Sequence, residues 1–509
     1  MRARLGVLFA VGVVVGVVVS LPAAGSSSVP NTRVSVATGG GQSNSDSLAP
    51  AISGDGRYVA FVSDASNLVA GDTNRVRDVF VNDRQTGETT RVSVGPGGAE
   101  ANGDSFAPAI SGDGRYVVFS SAASNLVPGD SNGVDDVFLR DRVAGTTTRI
   151  SVGQGGTEAN GGSYEPTIST DGSVIAYSSD ATNLVSGDAN NVRDVFVYDR
   201  ATDTTALASV ASDGTEGDAP SSNPALDADG KLVAFASFAD DFAINDDNET
   251  SDIFLRDRTA STTTRVSVYN GGFEADGDSF RPSLSADGRF VAYDSDSFDL
   301  AWEDLNDVAD VFVYDRQLDV VRPMSVDDAD TIGDNQSIDA SISADGRFVA
   351  FATDADNLVP GDKNGTTDVV IHDRVSGATR RISVTNSGDE ADGDSLHPSI
   401  SADGTLVAFD SDSTNLVAGD TNRRTDVFVR DTTANPPPPP QPASCVVPRV
   451  IGLRLATARQ RIAKAHCKVG RVRHRLAAPR RVGRVLAQSP RAGTRRAAGT
   501  KVNLVVGRR

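Results

Sequence analysis

Seven times along the chain the residues run Asp-x-Asn-x-x-x-Asp. The sets are Asp72, Asn74, Asp78; Asp130, Asn132, Asp136; Asp188, Asn190, Asp194; and Asp246, Asn248, Asp252. Then come Asp304, Asn306, Asp310; Asp362, Asn364, Asp368; and Asp420, Asn422, Asp426. Two carboxylates and an amide oxygen within seven residues are what a hard cation such as calcium asks of a short loop. The same residue types also close turns by bonding nearby backbone, and the spacing departs from the Asp-x-Asp-x-Asp-Gly ligand ladder. Calcium and a purely structural turn therefore both remain open.

A second register carries variety instead of repetition. Ala49, Ala107, Glu165, Asn223, Arg281, Asp339 and His397 occupy one position at constant spacing, and five of them are polar and mutually different. On a repeated scaffold such a ring builds one asymmetric ligand site, whereas drift at an exposed position would give the same pattern. Catalytic signatures are otherwise scarce: no Gly-x-Ser-x-Gly elbow, no His-Glu-x-x-His and no phosphate loop occur. His372 and His397 have no histidine counterparts in the other repeats, and His466 and His474 lie near the C-terminus. The expectation is a protein without enzymatic activity.

The elements that must position these residues follow from a period of 58. The Gly of an Asp-Gly pair recurs at 56, 114, 172, 230, 288, 346 and 404 without insertion or deletion. Each repeat holds four short runs rich in Val, Phe, Tyr and Ile; in the first they are 49–53, 57–63, 78–82 and 89–94. Asp55-Gly56 marks a tight turn between the first two. Four antiparallel strands per repeat make a propeller blade, and radial repetition protects the sheet edges. The seventh repeat stops after Asp431 without its fourth run, and a matching run, 32–36, precedes the first repeat. The expectation is an all-β, seven-bladed β-propeller spanning 32–431, with that N-terminal strand completing the last blade. In such a blade the acidic loops and the blade-to-blade connections, such as Glu100 to Asp104, emerge on one face. The ring of varied residues should stand just before the innermost strands, at the mouth of the channel on that face.

Pro-x-[Ile/Leu]-Ser-x-Asp-Gly-x-x-[Val/Ile]-Ala-[Phe/Tyr] followed by Asp-Val-Phe-Val-x-Asp resembles the WD40-like repeats of TolB-type propellers. The resemblance covers roughly 400 residues and implies a fold more than an activity.

Beyond Asp431 a Pro-rich linker, 432–444, leads into a region of different character, 445–509. A motif at 447–452, a helical run at 456–466 and strand-like runs at 469–472, 483–490 and 501–506 resemble, in order and spacing, a single PASTA domain of α+β type. That family occurs on penicillin-binding proteins and bacterial receptor kinases, and several members bind peptidoglycan fragments. The resemblance implies a cell-envelope setting. Cys445 and Cys467 flank the first motif and the helix; in an exported chain one disulfide between them is expected, with two free thiols as the alternative.

Charge divides the chain in the same place. From Pro436 to Arg509 there are 18 Lys/Arg and no Asp/Glu, although the whole 509-residue chain carries a formal −20. The acidic part would repel phosphate, so nucleic acid is not an expected partner. The basic part suits peptidoglycan or an anionic wall polymer. Arg2, Arg4, the apolar run 5–19 and the small residues 23–25 read as a signal peptide over 1–25, cleaved or kept as an anchor, with no other segment able to span a membrane. Together these features lead to an exported, secreted or cell-envelope scaffold whose propeller binds an unidentified protein or glycan. The alternatives are a polysaccharide lyase or hydrolase working at the channel mouth, and a calcium-stabilised interaction protein.

Overall fold

The computed structural model describes residues 31–433, apart from 244–245, 247, 270–271, 302–305 and 307, and residues 445–509, apart from 466, 493–494 and 497–499. The signal segment 1–25 and most of the linker lie outside the described residues.

In the first repeat β2 (Ser47–Ile52), β3 (Tyr58–Ser63), β4 (Asp78–Asp83) and β5 (Glu88–Arg91) form one antiparallel sheet in sequence order. The two inner strands are apolar without interruption because both sheet faces are covered: Val59, Ala60, Phe61, Val79, Phe80 and Val81 are fully buried. Phe61 and Phe80 face each other across the strand pair with ring centroids 5.9 Å apart. At the Asp55-Gly56 turn the glycine takes φ +71°, and the Asp55 carboxylate accepts the Ser53 hydroxyl and the Arg57 N–H. The fourth strand is shorter than the sequence suggests. After Arg91 the backbone leaves the ladder so that Ser93 can turn its hydroxyl onto the buried Asp78 carboxylate at 2.5 Å.

Seven such four-stranded sheets occur among the described residues. In the seventh, β1 (Asn31–Arg33) supplies the outer strand, with Asn31 opposite Arg430 and Arg33 opposite Phe428. Each sheet packs on the next through its own hydrophobic cluster. Val62 and Val79 of the first sheet meet Val117 and Phe119 of the second, and the series continues until Ala408 and Val429 of the seventh meet Ile52 and Phe61 of the first. The Ala402 N–H also donates to the Gly54 carbonyl at 3.1 Å across that last junction.

Basic side chains stitch the opposite edge. Arg57 holds Asp83 with two hydrogen bonds, at 3.0 and 2.6 Å. Arg142 of the second sheet lies 4.5 Å above the ring of Tyr58 in the first.

The C-terminal residues form a different unit. α1 (Leu455–Lys464) buries Ala458 and Ile462 in a core with Val447, Val450, Val485, Val502 and Leu504. Its mixed sheet has Lys501–Arg508 at the centre, parallel to Lys468–Leu476 and antiparallel to Val485–Ser489. Lys468–Leu476 runs well past the expected 469–472 because it stays paired with the central strand as far as Leu476, opposite Arg508.

Candidate functional site at the ring of bulges

The first strand of every repeat is interrupted by a register shift, in the first repeat between Leu48 and Ala51. The ring residues therefore lie inside the first strands, not ahead of them as the sequence suggested, and each occupies the bulge. All seven have left-handed backbone: φ is 49° at Ala49, 48° at Ala107, 52° at Glu165, 50° at Asn223, 50° at Arg281, 58° at Asp339 and 49° at His397. None is glycine, and left-handed backbone is costly for residues with a Cβ. A cavity of about 420 Å³ is lined by first-strand residues of all seven repeats, Ala49, Ala107, Thr167, Pro224, Arg281, Asp339 and His397 among them.

At two of the bulges a side chain of the neighbouring sheet meets the ring residue's N–H. Asp410 Oδ1 accepts the Ala49 N–H at 3.1 Å, and Glu165 Oε2 accepts the Asn223 N–H at 3.0 Å. The polar residues are thus linked unevenly around the ring. Arg281 donates to both oxygens of Asp294, at 3.1 and 2.9 Å, and its Nε also stands 3.0 Å from Asp339. His397 pairs with Asp410 at 2.9 Å. Glu165 accepts the Ser178 hydroxyl. Two alanines leave the opposite arc open.

Asp294 and Asp410 were not singled out from sequence. Both sit one register position across from the bulge, where the other repeats have Val62, Ser120, Ser178, Ala236 and Ala352. An acid in an otherwise apolar or small position, twice, was the available signal. Burial pushes Asp294 up to about 7, opposed by Arg281. The hydrogen bond to Asp410 raises His397 above its usual value.

The acidic loops resolve differently from the calcium expectation. In the first repeat a single nitrogen, Arg91 Nη1, stands 3.1 Å from Asp72, 3.1 Å from Asp78 and 2.9 Å from Glu100. Asn74 Nδ2 donates to Asp78 at 2.7 Å. Arg149 repeats this with Asp130, Asp136 and Glu158, and Arg265 with Asp246, Asp252 and Glu274; Arg381 meets Asp362, Asp368 and Glu390 with a different nitrogen each. In the seventh sheet Arg33 of β1 reaches Asp420 and Asp426. The expectation of calcium is corrected at these five sets, because a guanidinium already occupies the point between the carboxylates. The arginine lies outside the motif, on the neighbouring strand, so the loop motif alone could not reveal it. In the fifth repeat Asp304 lies outside the described residues, and Asn306 donates to Asp310 at 2.9 Å. Among the described residues no group of three or more His, Cys, Asp or Glu side chains stands ready-placed around a metal ion.

In the C-terminal unit a groove of about 740 Å³ runs along the sheet, lined by Arg471, Arg473, Gln488, Ser489, Lys501 and Asn503 among others. Cys467 is buried and disulfide-bonded; the side chain of Cys445, the chain's other cysteine, lies outside the described residues. Residues 446–508 match the PASTA domain family. The C-terminus is a PASTA domain. That match ends one residue short of the last and covers the helix, the mixed sheet and the basic groove.

No curated protein matches the chain. Among solved structures it is similar to a putative TolB from Agrobacterium tumefaciens, at 15% identity over 68% of this chain and 94% of that one, with a TM-score of 0.38. It is also similar to an oligogalacturonate lyase in complex with manganese, at 12% identity over 79% and 92%, with a TM-score of 0.48. A Pyrococcus horikoshii acylaminoacyl peptidase matches at 12% identity over 76% of this chain and 51% of that one, with a TM-score of 0.46. These likenesses concern the fold. They nevertheless correct the expectation of a protein without enzymatic activity, since a lyase and a peptidase stand among the similar structures beside the TolB protein. Among the described residues no helix is long and apolar enough to cross a membrane.

Proposed function

We propose that this chain is an extracytoplasmic binding protein of the cell envelope, held on peptidoglycan or an anionic wall polymer by its PASTA domain. In this reading the seven sheets act as one seven-bladed ring, latched by β1, which offers the polar arc of Glu165, Asn223, Arg281, Asp339 and His397 to a protein or glycan. The observation that carries the reading is the basic groove of the PASTA domain. Arg471, Arg473 and Lys501 put positive charge beside the amides and hydroxyl of Gln488, Asn503 and Ser489, a combination suited to an acidic, hydroxyl-rich polymer. The test is co-sedimentation with purified peptidoglycan sacculi across a salt series, comparing the mature chain with a truncation ending at Asn435. The full chain should pellet and the truncation should stay in solution. If neither pellets, or if binding vanishes at modest salt, the attachment is not specific.

A second reading makes the arc the site of a polysaccharide-directed lyase or hydrolase. It is favoured by Asp294, a carboxyl pushed to about 7 by burial, a value that suits proton transfer near neutrality. Replacing Glu165, Arg281, Asp339 and His397 by Ala separates the two: loss of turnover in a folded variant supports the enzyme.

A further inference from the structure

One acidic loop has lost its cation and kept every acid. In the third repeat Leu207 lies opposite Phe196 just as Arg91 lies opposite Phe80 in the first, so a leucine holds the arginine's place. The acids remain: Asp188, Asp194 and Glu216 correspond to Asp72, Asp78 and Glu100. The neighbouring losses are instructive. The fifth repeat has Pro323 for the arginine and Ile332 for the glutamate, so charge of both signs has gone together; the seventh has Gln42 for the glutamate and keeps Arg33. Only the third repeat retains three carboxylates with no guanidinium among them.

The consequence is visible at Asp188. Both of its carboxylate oxygens are shut away from solvent, and neither has a hydrogen-bond partner. In the first, second, fourth and sixth repeats the corresponding carboxylate is paired with arginine at 2.7–3.1 Å. The rest of the loop is built as in its siblings. Asn190 donates to Asp194 at 2.9 Å and to the Gly217 carbonyl, and Ser209 donates to Asp194 at 2.6 Å. Glu216 accepts the Ala189 N–H. Burial lifts Asp188 and takes Asp194 up to about 6.

We propose that the loop of the third repeat, Asp188, Asp194 and Glu216, binds a hard divalent cation of the calcium class in place of the missing arginine. All available ligands are oxygens, and three carboxylates with no cation of the chain among them favour a divalent over a monovalent charge. Calcium takes its oxygens at about 2.3–2.6 Å, closer than the 2.9–3.1 Å at which the sibling acids of the first repeat hold an arginine nitrogen. Binding therefore draws the three acids inward. The cation would complete the third sheet and does not depend on the wall-attachment reading.

The test is isothermal titration of calcium chloride into the EDTA-treated full chain, together with thermal unfolding with and without calcium. The unsubstituted chain should bind calcium and unfold several degrees higher in its presence. Leu207→Arg rebuilds the sibling arrangement; it should bind one calcium fewer per chain and unfold, without calcium, at or above the temperature of the unsubstituted chain. Asp188→Asn should lose the same site. Absence of a calcium heat and of a thermal shift in the unsubstituted chain overturns the proposal, and so does calcium binding unchanged in Leu207→Arg. The arginine variant keeps the test decisive if Asp188→Asn fails to fold.

Discussion

His397 and Asp410 are joined at 2.9 Å, and the carboxylate oxygen they share also accepts the Ala49 backbone N–H of the neighbouring sheet. One acid therefore holds a titratable ring and a strained bulge together. The hydrogen bond raises His397 above its ordinary 6.5. Stability from the pair is complete below pH 6.5 and is lost as pH rises through the folded value. The histidine is 48% exposed, so solvent screening keeps the contribution small. An NMR titration of the imidazoles should find His397 above 6.5 and lower in Asp410→Asn, while His372, which burial pushes down, stays where it is. An unmoved His397 would show that the bond has no effect on the ring.

The latch can be loosened by one oxygen. Ser35 donates to Asp426 at 2.6 Å and accepts the Val427 N–H at 3.0 Å, both in the buried interior of the seventh sheet. Ser35→Ala strips a buried carboxylate and a buried amide of a partner at once. The expected loss is about 1–3 kcal/mol, read as a lower urea midpoint with an unchanged slope.

Two glycines separate backbone strain from packing. Gly114 has φ +70°, and a Cβ there would stand 2.1 Å from Tyr58 Cδ2, under the ring that Arg142 covers. Gly129 has φ +80° with nothing within 4 Å. Gly129→Ala should cost about 1 kcal/mol for conformation alone. Gly114→Ala should cost clearly more, because the ring has to move; equal losses would mean that the Tyr58–Arg142 stack is slack.

Non-reducing peptide mapping should recover the peptides of Cys445 and Cys467 as one species. Reduction should destabilise the PASTA domain by about 3 kcal/mol on the loop-closure estimate. Separate peptides under non-reducing conditions would refute the pairing.

The repeat, the four strands and the closing segment were legible because a fixed period of 58 leaves every strand in register with its siblings. The site was legible only in part. The ring positions stood out by their variety, but their left-handed backbone did not, since Ala, Glu and Arg carry no preference for it. Proline follows six of the seven, at 50, 108, 166, 224, 282 and 398, and restricts the preceding residue without announcing a positive φ. The acidic loops misled for a different reason. Arg91 lay within the fourth run, 89–94, with nothing to tie it to the acids; its partner Asp78 lies 13 residues earlier, across a strand pair. Only the fold brings them together, and only then does Leu207 become conspicuous.

The pairing of Asn31 with Arg430 also constrains how the molecule is made. β1 is the first strand of the described residues, and it completes the sheet of the last repeat. Without β1 the seventh sheet is three strands wide and leaves the edge of its third strand unpaired. Any state in which that pairing has not formed carries an open strand edge and a loose strand able to fill it. At high local concentration a neighbour's β1 serves that edge as well as its own. Exchange of first strands between copies is the assembly error this architecture invites.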